Sequence, residues 1–113
     1  MRTAHYNKFG NHKTEVDGIV FDSSHEAARY LELKLLQRGG AISKLELQPR
    51  FILQEPFTKD GVKYRAITYV ADFKYTENGK MVVEDSKGFT TKDYLLKKKM
   101  LLYMWRKIDF REV

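Results

Sequence analysis

Asp72, Asp85 and Lys87 are the residues of this 113-residue chain whose types and spacing point most directly to chemistry. Asn78-Gly79 lies between two strand-like runs, and that dipeptide is the strongest short-range hairpin signal. With these two residues as the loop, Glu77 faces Lys80. The register then sets Tyr75 opposite Val82, Phe73 opposite Glu84 and Asp72 opposite Asp85. Side chains alternate along a strand, so Asp85 and Lys87 share one face and Glu84 points to the other. Directly opposed carboxylates lie about 4.5–5.5 Å apart at Cβ and repel unless something compensates. A divalent cation is the natural compensator, because Mg²⁺ binds through one or two carboxylates and keeps waters for a substrate phosphate. A lysine on the same face can steady an attacking water and the charge that develops on phosphate. The competing arrangement is two solvent-facing carboxylates neutralised by Lys87 and other basic neighbours. The flanks favour the site: Tyr69-Val70-Ala71 and Met81-Val82-Val83 are apolar runs of the kind found in strands covered on both faces.

These residues carry a resemblance. Ala71-Asp72-Phe73 followed by Val83-Glu84-Asp85-Ser86-Lys87-Gly88 resembles the PD-(D/E)XK motif of the restriction-endonuclease-like nuclease superfamily, with Ala71 where the motif has proline. Upstream, Gly18-Ile19-Val20-Phe21-Asp22-Ser23-Ser24-His25-Glu26 resembles the start of small phage-encoded members. The resemblance runs from about Gly18 to Lys107 in the order helix, strands, helix, strand. It implies a restriction-endonuclease-like α/β fold with a central mixed sheet flanked by helices. It implies a metal-dependent endonuclease acting on DNA phosphodiester bonds, in which Asp72 and Asp85 bind Mg²⁺ or Mn²⁺ with the Ser86 carbonyl and Lys87 is the catalytic lysine. A branched- or junction-DNA endonuclease of phage replication, recombination or packaging is the attractive subclass, since the chain has no room for a separate recognition module. Two other classes stand beside it. One is a nucleic-acid-binding accessory protein that keeps a nuclease-like fold without turnover; the other is a protein-interaction or assembly module.

Glu26 matches the acidic residue that many superfamily members place on the first helix beside the metals. It is also the reciprocal partner of Ser23 in a capping box. A helical wheel does not choose between these, because Ala27, Ala28, Leu31 and Leu35 form one stripe while Tyr30 and Leu33 flank Glu26. On the second helix Tyr94, Leu95, Leu101, Leu102 and Trp105 fall on one face, with Lys98 near its middle. A lysine inside an apolar stripe either snorkels or reaches a polar site, and superfamily nucleases often put a Lys or Gln here near the scissile phosphate. Leu96, Met100, Tyr103 and Met104 on the opposite face are expected to pack on another part of the chain or to form a homodimer interface. Lys92, Lys97, Lys99, Arg106 and Lys107 are expected phosphate contacts or a solvated face. Gln48, beside Pro49, approaches the site or marks a strand break. His5, His12 and His25 have no metal-ligand spacing.

The elements that must position these residues follow from punctuation. Residues 1–15 form a basic arm, and Val16–Phe21 a short strand turned at Asp17-Gly18. Ser23 opens a helix that Gly39-Gly40 stops after Arg38. Strand-like runs cover Ile42–Leu47, Phe51–Phe57, Tyr64–Tyr75 and Met81–Lys87, with Asp60-Gly61 and Asn78-Gly79 at turns. Thr90 or Thr91 caps a second helix to about Lys107, and Ile108–Val113 is a last strand. Length gives one domain across residues 1–113. Lys and Arg number 21 against 15 Asp and Glu, a net charge of +6 that suits a polyanionic partner such as DNA. The absence of cysteine removes thiolate chemistry and Cys-type zinc sites. With no apolar run long enough to span a membrane and no signal-peptide block, the expected location is the cytoplasm.

Overall fold

The computed structural model describes residues 13–86 and 91–113. The basic arm up to His12, and Lys87 with Gly88, Phe89 and Thr90, lie outside the described residues. Two compact units divide at Ile42/Ser43.

The first unit holds β1 (Thr14–Val16), β2 (Ile19–Phe21) and α1 (Ser24–Arg38). Strands β1 and β2 pair antiparallel around Asp17-Gly18, both with positive φ, which suits a tight two-residue hairpin turn. Ser23 caps α1, its hydroxyl accepting the Glu26 N–H at 3.1 Å, and Gly39 closes the helix. The buried face of α1 carries Glu26, Ala27, Tyr30 and Leu33, while Leu31 and Leu35 are exposed. Glu26 therefore lies on the buried face of α1, with Tyr30 and Leu33. Tyr30 is fixed within the unit by its ring against Phe21, 5.1 Å between centroids, and by its hydroxyl, which donates to Asp17 at 3.0 Å.

The second unit contains β3 (Ser43–Leu47), β4 (Arg50–Gln54), β5 (Phe57–Lys59), β6 (Val62–Tyr64), β7 (Ile67–Val70), β8 (Phe73–Glu77), β9 (Lys80–Asp85), α2 (Lys92–Met104) and β10 (Asp109–Glu112). Its central sheet is mixed, in the order β10-β9-β8-β3, with β10 parallel to β9 and the other pairs antiparallel. Strands β4 and β7 form a separate two-stranded ribbon, and β5 and β6 another. The described residues thus make a mixed α/β protein with a central mixed sheet and two helices.

The Asn78-Gly79 turn fixes the register as the sequence indicates: Glu77 faces Lys80, Tyr75 faces Val82 and Phe73 faces Glu84. Both turn residues have positive φ, the conformation that a two-residue hairpin loop requires. Thr91 caps α2, its hydroxyl accepting the Tyr94 N–H at 3.0 Å. The expected continuous run Tyr64–Tyr75 is instead cut twice, at residues 65–66 and at Ala71-Asp72. The second cut matters for function. There Gln48, with φ 49°, donates its N–H to the Asp72 carbonyl, Ala71 donates to the Pro49 carbonyl, and Asp72 donates to the Glu84 carbonyl. Asp72 therefore stays bonded to β9 while the chain passes from the β4–β7 ribbon to the central sheet.

The core of this unit joins Phe51, Leu53, Tyr69, Ala71, Val83 and Leu101, with Met81, Tyr94, Trp105 and Phe110 packed around them. Adjacent Val82 and Val83 are both buried, as a strand covered on both faces requires. The α2 face is narrower than the sequence suggests. Leu101 is buried and Tyr94, Lys98 and Trp105 are half-buried, but Leu95 and Leu102 are exposed. The helix axis is turned so that Lys98, rather than Leu95 or Leu102, lies along the contact line. Among the described residues no helix is long and apolar enough to cross a membrane.

Candidate active site

Asp72 and Asp85 come together at the end of the β8–β9 hairpin. The β8–β9 ladder ends at Phe73↔Glu84; just beyond it Asp72 donates its N–H to the Glu84 carbonyl, and its carboxylate lies close enough to Asp85 to act on it. Ser86 donates its backbone N–H to Asp72 Oδ2 at 2.7 Å and its hydroxyl to the same oxygen. Asp85 Oδ2 accepts the Tyr69 hydroxyl. Each carboxylate is thus held by a donor, and the two influence each other. Burial, opposed by the Tyr69 hydroxyl and reinforced by the Asp72 charge, raises the Asp85 carboxyl to about 6. Burial and then the Asp85 carboxylate push the Tyr69 phenol well above its ordinary range, so it stays a hydrogen-bond donor.

Three contributors were not legible in the sequence. Glu112 stands opposite Asp85 because β10 runs parallel beside β9. Its Oε2 accepts the Tyr94 hydroxyl and pairs with Lys98 Nζ at 3.2 Å. Tyr94 is raised to about 12, first by burial and then by the Glu112 acceptor, and its ring centroid lies 6.2 Å from that of Tyr69. The hairpin register could place Asp85 but not its neighbour on the other side, since that depends on how the chain returns after α2. Tyr69 and Tyr94 looked apolar in pattern, and their hydroxyls proved to be the informative atoms.

Lys98 reaches this polar line rather than open solvent: besides Glu112 it lies 5.4 Å from the centre of the Phe110 ring. A cleft of about 290 Å³ opens beside Asp85, with Tyr69, Tyr94, Thr91 and Lys97 in its wall. Lys97 is half-buried and pairs with Asp93 at 3.7 Å. Lys92, Lys99, Arg106 and Lys107 are exposed. Arg106 packs its guanidinium 4.8 Å from the Tyr103 ring centre, and together with Lys107 it borders a larger cavity, about 830 Å³, at the Gly79 end of β9. That cavity is away from the aspartates. The chemistry follows the carboxylates, so the smaller cleft is the candidate site.

Glu84 points away from Asp85, as alternation requires. It is fully buried and accepts the Tyr75 hydroxyl, on the face where Arg111 pairs with Glu77 and Asp109. Glu26 lies in the other unit, buried in the first turn of α1. His25 is exposed, while His5 and His12, like Lys87, fall outside the described residues. No group of three or more His, Cys, Asp or Glu side chains spaced to hold a metal occurs among the described residues. The donor set here is two carboxylates, all hard oxygen, which matches the one or two carboxylates through which Mg²⁺ is ordinarily held.

The family model for a protein of unknown function (DUF1064) matches residues 6–113, and the chain belongs to that family. No curated protein and no solved structure matches it.

Proposed function

We propose that this member of the DUF1064 family is a Mg²⁺- or Mn²⁺-dependent nuclease of restriction-endonuclease-like fold that hydrolyses DNA phosphodiester bonds. One observation carries the reading: two carboxylates, Asp72 and Asp85, are held close together at the end of the β8–β9 pair, each braced by a hydroxyl donor. Like charges so placed destabilise a fold unless a cation offsets them. The parallel β10 beside β9, and α2 leading into it, support the same reading through the element order.

Asp72 and Asp85 would hold the metal. A bound cation would supply charge neutralisation and would make its bound water more acidic than bulk water. Ser86 keeps Asp72 oriented through its amide and hydroxyl, and Tyr69 does the same for Asp85. Such bracing of ligand carboxylates is worth roughly 10- to 100-fold in metal affinity or activity. Lys87, which the motif resemblance implies as the catalytic lysine, and Lys98 stabilise charge on the phosphate. The exposed Lys92, Lys99, Arg106 and Lys107, with Lys97, position the backbone without reading bases.

The test is a cleavage panel of linear, nicked, flapped and four-way DNA with Mg²⁺ or Mn²⁺. Wild type cuts at least one substrate. Asp72→Asn and Asp85→Asn abolish cutting while DNA binding persists or tightens, because each removes a negative charge beside the phosphate. Cutting by either variant at the wild-type rate overturns the assignment. Binding without cutting on every substrate leaves an accessory protein with a nuclease-like fold.

A further inference from the structure

The β5–β6 hairpin departs from the rest of the second unit. It is a two-stranded sheet of its own, and all six of its strand residues are exposed. Register pairs Phe57 with Tyr64 and Lys59 with Val62, so these four share one face, while Lys63 lies on the reverse and Arg65 follows Tyr64. The two rings are stacked, 4.8 Å between centroids and 11° between planes. Stacking of this kind staples a hairpin, yet the residues remain 44% and 47% exposed, with Val62 beside them at 50%. A protein does not ordinarily leave an aromatic pair and a valine together in water on a projecting ribbon. Cations flank them on both faces.

Flat aromatic faces with interleaved lysines are the chemistry that binds unstacked nucleic-acid bases. The rings offer sequence-independent stacking and the cations follow the phosphates. A short stretch of chain also ties the ribbon to the candidate site. Tyr64 is eight residues from Asp72, at most about 27 Å of extended chain, or roughly eight base steps of DNA.

We propose that the β5–β6 hairpin is a stacking platform for unpaired DNA bases, so that the substrate is DNA containing a single-stranded segment. The choice of DNA over another polyanion rests on the nuclease reading above. The pairing of an exposed aromatic stack with Lys59, Lys63 and Arg65 rests on the hairpin itself.

The experiment measures binding of the full chain, in chelator, to a fluorescent oligo-dT and to a blunt duplex of equal charge. Phe57→Ser with Tyr64→Ser weakens oligo-dT binding by roughly 5- to 100-fold, the range for losing base–aromatic stacking, and changes duplex binding less than twofold. The ring-preserving pair Phe57→Tyr with Tyr64→Phe retains wild-type affinity for both, which separates lost stacking from a disturbed hairpin. Equal weakening on both DNAs, or none on oligo-dT, overturns the platform. So does loss of oligo-dT affinity in the ring-preserving pair. Because binding is read without metal and cleavage with it, a non-cutting protein that still shows the selective loss refutes the nuclease reading alone.

Discussion

Burial and the facing Asp72 charge raise the Asp85 carboxyl from 3.8 to about 6, and the consequence for stability has a definite sign. Between those values the folded protein binds a proton that the unfolded chain has already released, so metal-free stability is greatest below about 3.8 and falls as pH rises through about 6. A shift of that size corresponds to a ceiling of about 3 kcal/mol. Asp85 is only half-buried, and solvent screening reduces the expected effect to on the order of 1 kcal/mol. Chemical denaturation in chelator at pH 4, 5, 6 and 7 measures it, with Asp85→Asn as the reference that removes this group and leaves the others. The difference between wild type and variant grows with pH in favour of the variant; a difference independent of pH contradicts the buried setting of the Asp85 carboxyl. Tyr69 keeps the shift from being larger, because its hydroxyl favours the charged carboxylate.

At the scale of elements, the β8–β9 hairpin carries the site, and its turn sets the register on which the two carboxylates meet. Gly79 has φ +76°, and a Cβ there would meet no atom within 4 Å. The cost of Gly79→Ala is therefore backbone strain alone, about 1–2 kcal/mol. Thermal melting should show a loss of about 4 °C or more, and an unchanged melting point would mean that the turn does not constrain the hairpin. This element was readable from sequence because a two-residue turn and a period of two leave one register open. The break at Asp72 was not readable, since it depends on Gln48 adopting a left-handed conformation on a neighbouring strand and on three hydrogen bonds across it. Glu112 was hidden for a related reason: its position opposite Asp85 depends on a parallel pairing made only after α2 has crossed. On α2 the wheel gave the correct face for Lys98 and Leu101 but made the stripe too wide, because packing against β4 and β7 covers only one line of the helix.

For the whole molecule, a net charge of +6 and an acidic pair at one strand end point in opposite directions unless the pair belongs to a metal. A basic surface draws in a polyanion, and two carboxylates repel it. Under the proposed function a divalent cation held by Asp72 and Asp85 would reconcile them, and ligand linkage makes that measurable without knowing the substrate. Thermal melts of wild type, Asp72→Asn and Asp85→Asn at neutral pH, in chelator and across a Mg²⁺ or Mn²⁺ titration, test it most directly. In chelator the Asp72→Asn variant melts at or above wild type, because a repulsion is gone. With metal, wild type gains stability that grows with concentration, about 2.7 kcal/mol at 100 times the dissociation constant, and both variants gain much less. Equal metal-induced shifts in all three proteins would contradict the two-carboxylate site.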